Sequence, residues 1–225
     1  MSELENLIAL ADWKLLAGSH KFPGPEGGTC INEAALVAAG FPYKEIKSAK
    51  EMPVCFSRPI SALALGLNDR WGDADRQKLL PYVVRLAGTA DTPEIERERV
   101  DALVKSLVNN VTARMVRRRG DEATALLCER ATTREEVQKA AETVTVKTRA
   151  ATAAYADAAY TAADAYAAAA AAYAYAAATE RKFFVTWGLS VLETMLAIGN
   201  KAEPIDTACV IKRMDHAKSA FRAMA

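Results

Sequence analysis

One short stretch of the chain combines residue types that can carry out nucleophilic chemistry. His20 stands in a loop rich in proline and glycine, and Gly27 and Gly28 precede Cys30 at the predicted start of a helix. A cysteine in the first turn of a helix feels the positive end of the helix dipole, which lowers its pKa and favours the thiolate. Two preceding glycines would let a substrate carbonyl or an anion approach the helix N–H groups. The pattern indicates Cys30 as a candidate catalytic nucleophile, with His20 as its base if the loop folds back.

Two other interpretations of the same residues stand beside this one. A free cysteine at a tight junction between loop and helix is usually a small buried side chain. His20, Cys30 and Cys55, together with Glu33, also have the ligand types that zinc binds, although their separations match no common zinc spacing. The structural interpretation of Cys30 is favoured, and we expect neither a bound metal nor a cofactor.

The stretch from residue 149 to residue 179 dominates the second half of the chain. It is mostly alanine, with tyrosines and two aspartates set into it, and no glycine or proline occurs between residues 121 and 187. Alanine is the best intrinsic helix former because its side chain loses no entropy on becoming helical. The composition therefore predicts one long helix.

This predicted helix has two faces. At about 100° per residue, three tyrosines fall on one line and two aspartates fall on the opposite side; they are Tyr155, Tyr166, Tyr173, Asp157 and Asp164. An alanine face lets a second helix approach closely, so the favoured interpretation is a tight seam within the fold or between two copies of the chain. The alternative is that these side chains bind another protein or a ligand.

Residues 183 to 198 form the most apolar run of the chain. The run is shorter than the roughly 20 residues that a transmembrane helix needs, and it contains Thr186, Ser190 and Glu193. A helix that is apolar nearly all round is typical of a buried core helix. We therefore expect a core helix and no membrane association.

The charge balance excludes an electrostatic signature for nucleic acid. The 225 residues contain 29 Lys and Arg against 28 Asp and Glu, and nucleic-acid-binding domains usually carry a basic excess. The run Arg114, Arg117, Arg118 and Arg119 has no interleaved aromatic residues and precedes two acidic residues, so a solvated helix end is favoured over a phosphate contact. No nucleic-acid partner is expected.

The cysteines and the N-terminus point to the cytoplasm. The four cysteines form no CxxC pair, and the acidic, amphipathic stretch MSELENLIALADWKLL fits neither a secretory signal nor a transit peptide. We therefore expect reduced thiols and a cytoplasmic location.

Helix-start signals recur along the chain and no convincing strand does, so the sequence predicts an all-α fold. Capping residues, first-turn prolines and terminal glycines place helix starts near Ser2, Thr29, Ser57, Asp73, Thr92, Asp121, Thr133 and Pro204. The helix that starts at Thr92 is predicted to continue to Gly120, and Thr133 is predicted to form a capping box with Glu136. The first helix is predicted to end at Gly18. The loops divide the chain into a compact helical module, residues 1–90, and a bundle of long helices, residues 91–225.

Three segments carry a resemblance to a known family. They read GGTCINEAALVAAG (27–40), PVCFSRPISALALGLNDRW (53–71) and RQKLLPYVVRLAGTA (76–90). They resemble an uncharacterised group of bacterial and phage-associated proteins, in which alanine-rich helical tails of variable length follow. The resemblance covers roughly residues 15–90 and the style of the tail. It implies that the N-terminal half is the recurring module, and it assigns no functional residue because the group has no established activity.

These observations together favour a non-enzymatic interaction or scaffolding protein. Such a protein would bind a protein partner, or a second copy of itself, through its long helices, and we expect a homo-oligomer. The alternatives are a cysteine-dependent enzyme of the acyl-transfer or hydrolase type that uses Cys30 with His20, and a zinc-stabilised binding module.

Overall fold

The structure, a computed structural model, describes residues 14–20, 28–147, 178–199 and 205–222. These residues contain helices and two isolated β-bridges, Leu15 with Thr29 and Phe56 with Ala87, but no sheet. The all-α prediction is confirmed. The predicted alanine-rich helix, with its candidate contact residues, lies outside the described residues and stays a prediction; those residues are Tyr155, Tyr166, Tyr173, Asp157 and Asp164.

The α-helices follow one another along the whole described chain. In order they are α1 (Ile31–Ala38), α2 (Arg58–Arg70), α3 (Asp73–Arg76), α4 (Pro93–Ser106), α5 (Ala113–Arg118), α6 (Glu122–Arg130), α7 (Arg134–Lys147), α8 (Ala178–Ala197) and α9 (Thr207–Arg222). Two 3₁₀ segments, Ala49–Glu51 and Gln77–Arg85, connect helices in the first half. A π-helical segment, Leu107–Thr112, joins α4 to α5.

The described residues form two compact units. The first unit contains the described residues up to Thr92 together with those from Gly199 onward, and the second unit contains those from Pro93 to Ile198. The division after Thr92 falls near the predicted boundary between residues 90 and 91. The last helix, α9, is predicted to belong with the long helices of residues 91–225, but it belongs to the first unit.

Helix α1 lies at the centre of the first unit, since all eight of its residues are buried. It packs against α2, against the 3₁₀ segment Gln77–Arg85 and against α9, which contributes the buried side chains Val210 and Met214. The Arg213 guanidinium donates a hydrogen bond of 2.6 Å from Nη1 to the carbonyl oxygen of Ala38 at the end of α1. A cation at this end complements the helix dipole.

The predicted first helix does not extend to Gly18. Residues 14–18 are not helical, and Leu15 pairs in parallel with Thr29. The Leu16 N–H donates to the Thr29 carbonyl oxygen at 3.0 Å, and the Thr29 N–H donates to that of Lys14 at 3.2 Å. These backbone hydrogen bonds replace those that a helix would have made, because every buried N–H and C=O needs a partner.

In the second unit, helices start where the capping signals predicted them. Pro93 is the first residue of α4. Thr133 and Glu136 form the predicted capping box, because the Thr133 N–H donates to Glu136 Oε2 at 3.0 Å and the Glu136 N–H donates to Thr133 Oγ1 at 3.2 Å. Backbone N–H groups that bind the Glu136 carboxylate lower its pKa to about 2.

The predicted single helix from Thr92 to Gly120 contains a π-helical segment in its middle. There, Asn109 reaches the end of α6, and its Nδ2 donates to the carbonyl oxygens of Ala131 at 2.9 Å and Glu129 at 3.3 Å. A π-helical turn accommodates an extra residue within a helix. Here it lies where a side chain satisfies the C-terminal carbonyls of the neighbouring helix.

Helix α8 corresponds to the apolar run of the sequence. Phe184, Trp187, Val191 and Met195 are among its buried residues, while Ser190 and other polar residues are exposed. Trp187 Nε1 donates to Ser106 Oγ at 3.0 Å. Within the described residues, no helix combines the length and the apolar character that crossing a membrane requires.

Candidate functional site

The residues with candidate chemistry meet at the start of α1. Cys30 is the N-cap residue of this helix, and its Sγ accepts the Glu33 N–H at 3.5 Å. In return, Glu33 Oε2 accepts the Cys30 N–H at 2.9 Å. This is a capping box in which a thiol stands where serine or threonine usually does, and it satisfies two helix N–H groups.

The Glu33 carboxylate is fully buried and accepts hydrogen bonds at both oxygens. Oε2 also accepts from Thr29 Oγ1 at 2.9 Å. Oε1 accepts from two backbone N–H groups in the two loops that flank α1, that of His20 at 3.2 Å and that of Ile46 at 3.1 Å. One carboxylate therefore joins the N-terminal segment, the start of α1 and the loop after α1.

The electrostatic environment of Cys30 is opposite to the one that the nucleophile hypothesis requires. Burial raises the pKa of the Cys30 thiol well above its ordinary value of 9.0, and the adjacent Glu33 charge raises it further. These effects exceed the lowering by backbone N–H groups at the helix start. The predicted lowering of the thiol pKa is therefore wrong, because the negative charge that stabilises the helix start lies beside the sulfur.

His20 is engaged elsewhere in the loop. Its Nε2 lies 2.7 Å from the carbonyl oxygen of Ala17. Its own carbonyl oxygen accepts a hydrogen bond from the Tyr43 hydroxyl. Burial and the nearby Glu33 charge raise the pKa of Tyr43. The backbone of His20 thus joins the Glu33 cluster, while its ring is hydrogen-bonded to Ala17 rather than to Cys30.

The zinc hypothesis for His20, Cys30, Cys55 and Glu33 gains no support from the geometry. Over the described ranges, which include all four residues, no three His, Cys, Asp or Glu side chains form a group that could hold a metal ion. Both Glu33 oxygens already accept protein donors. Cys55 lies instead in the loop before α2, where its carbonyl oxygen accepts the Ala90 N–H at 3.1 Å.

Of the two glycines proposed to admit a ligand, Gly28 has a packing role in the structure. A Cβ atom built on Gly28 would lie 2.4 Å from Leu16 Cγ and 2.7 Å from the Lys14 carbonyl oxygen. Gly28 therefore lets the segment 14–16 lie directly against the start of α1. Gly27 lies outside the described residues.

Side chains from α2 and from the 3₁₀ segment Gln77–Arg85 hold this extended segment in place. Gln77 Oε1 accepts the Leu15 N–H and its Nε2 donates to the Leu15 carbonyl oxygen, both at 3.0 Å. Asn68 Nδ2 donates to the Leu16 carbonyl oxygen at 2.8 Å, and its Oδ1 accepts the Ile31 N–H at 3.2 Å. Fully buried Asn68 thus connects the segment to α1.

The basic run in the second unit is largely paired with carboxylates. Arg114 forms a bidentate ion pair with the buried Glu180, and Arg118 Nη2 lies 2.7 Å from Glu180 Oε1. Arg117 pairs with Glu122 and Glu129. These contacts add a structural role to the predicted solvated helix end, since carboxylates of two other helices, α6 and α8, pair with the arginines.

Sequence reasoning missed the residues that organise both units. Glu33 entered it only as a possible zinc ligand, although the Cys-x-x-Glu spacing is that of a capping box. Arg99, which is fully buried, was not singled out; its Nη2 donates to the Ile198 carbonyl oxygen at 2.8 Å. No local signal marks this contact, because it joins residues far apart in the chain.

No family model, no curated protein and no solved structure matches the chain.

Proposed function

We propose that the chain is a non-enzymatic helical interaction or scaffolding protein, which binds a protein partner or a second copy of itself through its long helices. The capping box between Cys30 and Glu33 is the observation that carries the proposal. The Cys30 thiol, which is the candidate nucleophile, and the Glu33 carboxylate, which is a candidate zinc ligand, are fully buried and accept hydrogen bonds from backbone N–H groups. Their geometry serves the structure of α1.

The described helices of the second unit suit a binding role because they are braced into a stable frame. Glu180 at the start of α8 binds two arginines, and Arg99 binds the carbonyl oxygen of Ile198, directly after the other end of α8. A frame with fixed helix positions loses little conformational entropy when it binds a partner. In the sequence, the alanine-rich stretch lies between α7 and α8, and we propose it as the contact face.

Native mass spectrometry of the full chain tests the proposal together with its alternatives. We expect a metal-free dimer or higher oligomer, or a complex with a co-purifying protein. A monomer that retains one zinc ion would contradict the proposal in favour of the zinc-stabilised module. A bare monomer would count against self-association.

A matched pair of variants locates the contact. Tyr166→Asp places a charge on the predicted tyrosine line and should raise the dissociation constant of the oligomer or complex at least tenfold. Asp164→Asn alters the opposite face and should leave it intact. Equal effects of the two variants would contradict an interface along the tyrosine line.

The cysteine hypothesis makes a separate prediction. Serine is a preferred N-cap residue, so Cys30→Ser preserves the capping box and should leave partner binding within a factor of two of the wild-type value. A hydrolase or transferase activity that the purified chain loses in Cys30→Ser would overturn the non-enzymatic assignment.

A further inference from the structure

Two side-chain oxygens inside the first unit are buried without a hydrogen-bond partner. Asn32 on α1 is fully buried, and Ser61 on α2 is 1% exposed. Among the described residues, neither Asn32 Oδ1 nor Ser61 Oγ has a partner. A buried polar group that forms no hydrogen bond loses its hydration without compensation, so nearly all such groups in folded proteins bind a protein group or an internal water.

A hydrogen bond places these two residues side by side. Asn32 Nδ2 donates to the Ser61 carbonyl oxygen at 3.0 Å. The nitrogen and oxygen of an amide are about 2.2 Å apart, so Asn32 Oδ1 lies within about 5.2 Å of that carbonyl oxygen. The unpartnered oxygens therefore belong to one small region of the contact between α1 and α2.

The chemistry of the two groups selects the occupant of this region. The end of the Asn32 amide that faces a carbonyl oxygen is the nitrogen, so the other end is an acceptor only, whereas the Ser61 hydroxyl can donate. A water molecule both donates and accepts, and it satisfies the two groups together. A buried cation would need a compensating charge, and no carboxylate of the described residues bonds to either side chain.

Asn68 shows that the same interface satisfies another buried asparagine with protein groups alone. Its Oδ1 accepts the Ile31 N–H at 3.2 Å, and its Nδ2 donates to the Leu16 carbonyl oxygen at 2.8 Å and to Asp69 Oδ1 at 3.0 Å. Asn68 is also fully buried. An acceptor without a protein donor therefore distinguishes Asn32 from Asn68, and Asn68 can serve as its reference.

We infer that the contact between α1 and α2 contains a binding site for one water molecule. This water donates a hydrogen bond to Asn32 Oδ1 and accepts one from the Ser61 hydroxyl. It is a constituent of the helix contact, as buried waters with polar partners generally are. The inference goes beyond the proposed function, because the site lies inside the first unit and takes no part in binding through the long helices.

Oxygen-17 relaxation dispersion of the solvent tests the inference with the full chain, because it counts internal waters that remain bound while the protein tumbles. We expect the count to fall by one in a chain with N32L and S61A, in which apolar side chains replace both hydrogen-bonding groups. Asn110→Leu changes an exposed asparagine of the second unit and should leave the count unchanged. Equal counts in the wild-type chain and the double variant would overturn the inference.

A second measurement uses the unaltered chain, so it does not depend on the folding of the double variant. In nuclear Overhauser spectra of the ¹⁵N-labelled protein, the cross-peak between water and the Asn32 side-chain amide should be at least fivefold stronger than that of the Asn68 side-chain amide. Equal intensities at the two asparagines would overturn the inference. Neither measurement reports subunit number or complex formation, so their failure would leave the proposed function intact.

Discussion

Glu33 and Cys30 each accept the other's backbone N–H, at 2.9 Å to the carboxylate and at 3.5 Å to the sulfur. The carboxylate then accepts three further donors, from the loops on both sides of α1 and from Thr29. A single buried charge thus satisfies backbone groups from three segments. The consequences for stability and reactivity can be measured.

Glu33→Gln should destabilise the first unit by about 3 kcal/mol, since hydrogen bonds to a buried charged group are worth roughly 1.5–3 kcal/mol and an amide nitrogen would face N–H donors. Urea denaturation followed by circular dichroism measures the loss. Glu45→Gln is the matched control, because Glu45 has a weak 3.9 Å contact with the exposed Lys47, and it should change stability little. Equal effects of the two variants would contradict the central role of Glu33.

The four thiols should react with iodoacetamide in a fixed order. Burial raises the pKa of Cys128 to about 11 and that of Cys30 well above 9.0, whereas Cys55 and Cys209 are partly exposed. At pH 8 the native protein should be alkylated first at Cys55 and Cys209, and at Cys30 only after unfolding. Peptide mass mapping of a time course reports each rate. Modification of Cys30 as fast as that of Cys55 would show an accessible, activated thiol.

Gly28→Ala should destabilise the fold by about 2 kcal/mol, a typical cost of overpacking. The added methyl group meets Leu16 and the Lys14 carbonyl oxygen, and the latter accepts the Thr29 N–H. Gly72→Ala makes the same change where nothing lies within 4 Å, and its melting temperature should stay close to the wild-type value. Equal melting temperatures of the two variants would contradict the close approach of segment 14–16 to α1.

Glu180→Gln should lower the free energy of unfolding of the second unit at neutral pH by about 1.5 kcal/mol. The loss is modest because Arg114 and Arg118 are about half exposed, so that solvent screens their charges. Hydrogen bonds from Arg114 hold the pKa of Glu180 below its ordinary value of 4.5. The ion pairs therefore stabilise the fold fully above about pH 4.5, and this contribution is lost as pH falls through the lowered pKa. Denaturation midpoints from pH 7 to pH 2.5 should fall less steeply in the variant.

A control for this pH dependence lies nearby. Glu122 also has a lowered pKa through an arginine, Arg117, but this pair is exposed. Glu122→Gln should leave the stability at neutral pH close to the wild-type value. A steeper acid transition in Glu180→Gln than in the wild type would contradict the assigned ion pairs.

Local sequence signals predicted the helices, whereas hydrogen bonds between residues far apart in the chain determine the geometry of the candidate site. Three local features were predicted: the start of α1 near Thr29, the start of α4 at Pro93, and the capping box of Thr133 and Glu136. Each depends on neighbouring residues alone. The non-helical segment 14–18 was predicted to be the end of a helix. Its partners, Gln77 and Asn68, lie more than fifty residues away and leave no trace in its own apolar pattern.

The same distinction explains the error at Cys30. The position at a helix start is a local property and was predicted. The burial of the thiol and the charge of Glu33 beside it depend on packing against other segments, and they reverse the direction of the pKa shift.

The first unit draws its residues from both ends of the chain, and this has a consequence for its synthesis. Helix α9, which packs against α1, is translated after the whole second unit. A growing chain can therefore complete the second unit while α1 still lacks one of its neighbours, and the apolar face that will receive Val210 and Met214 stays open until then. Although N-terminal domains usually fold first during translation, here the first unit should finish folding only after the second unit has been synthesised.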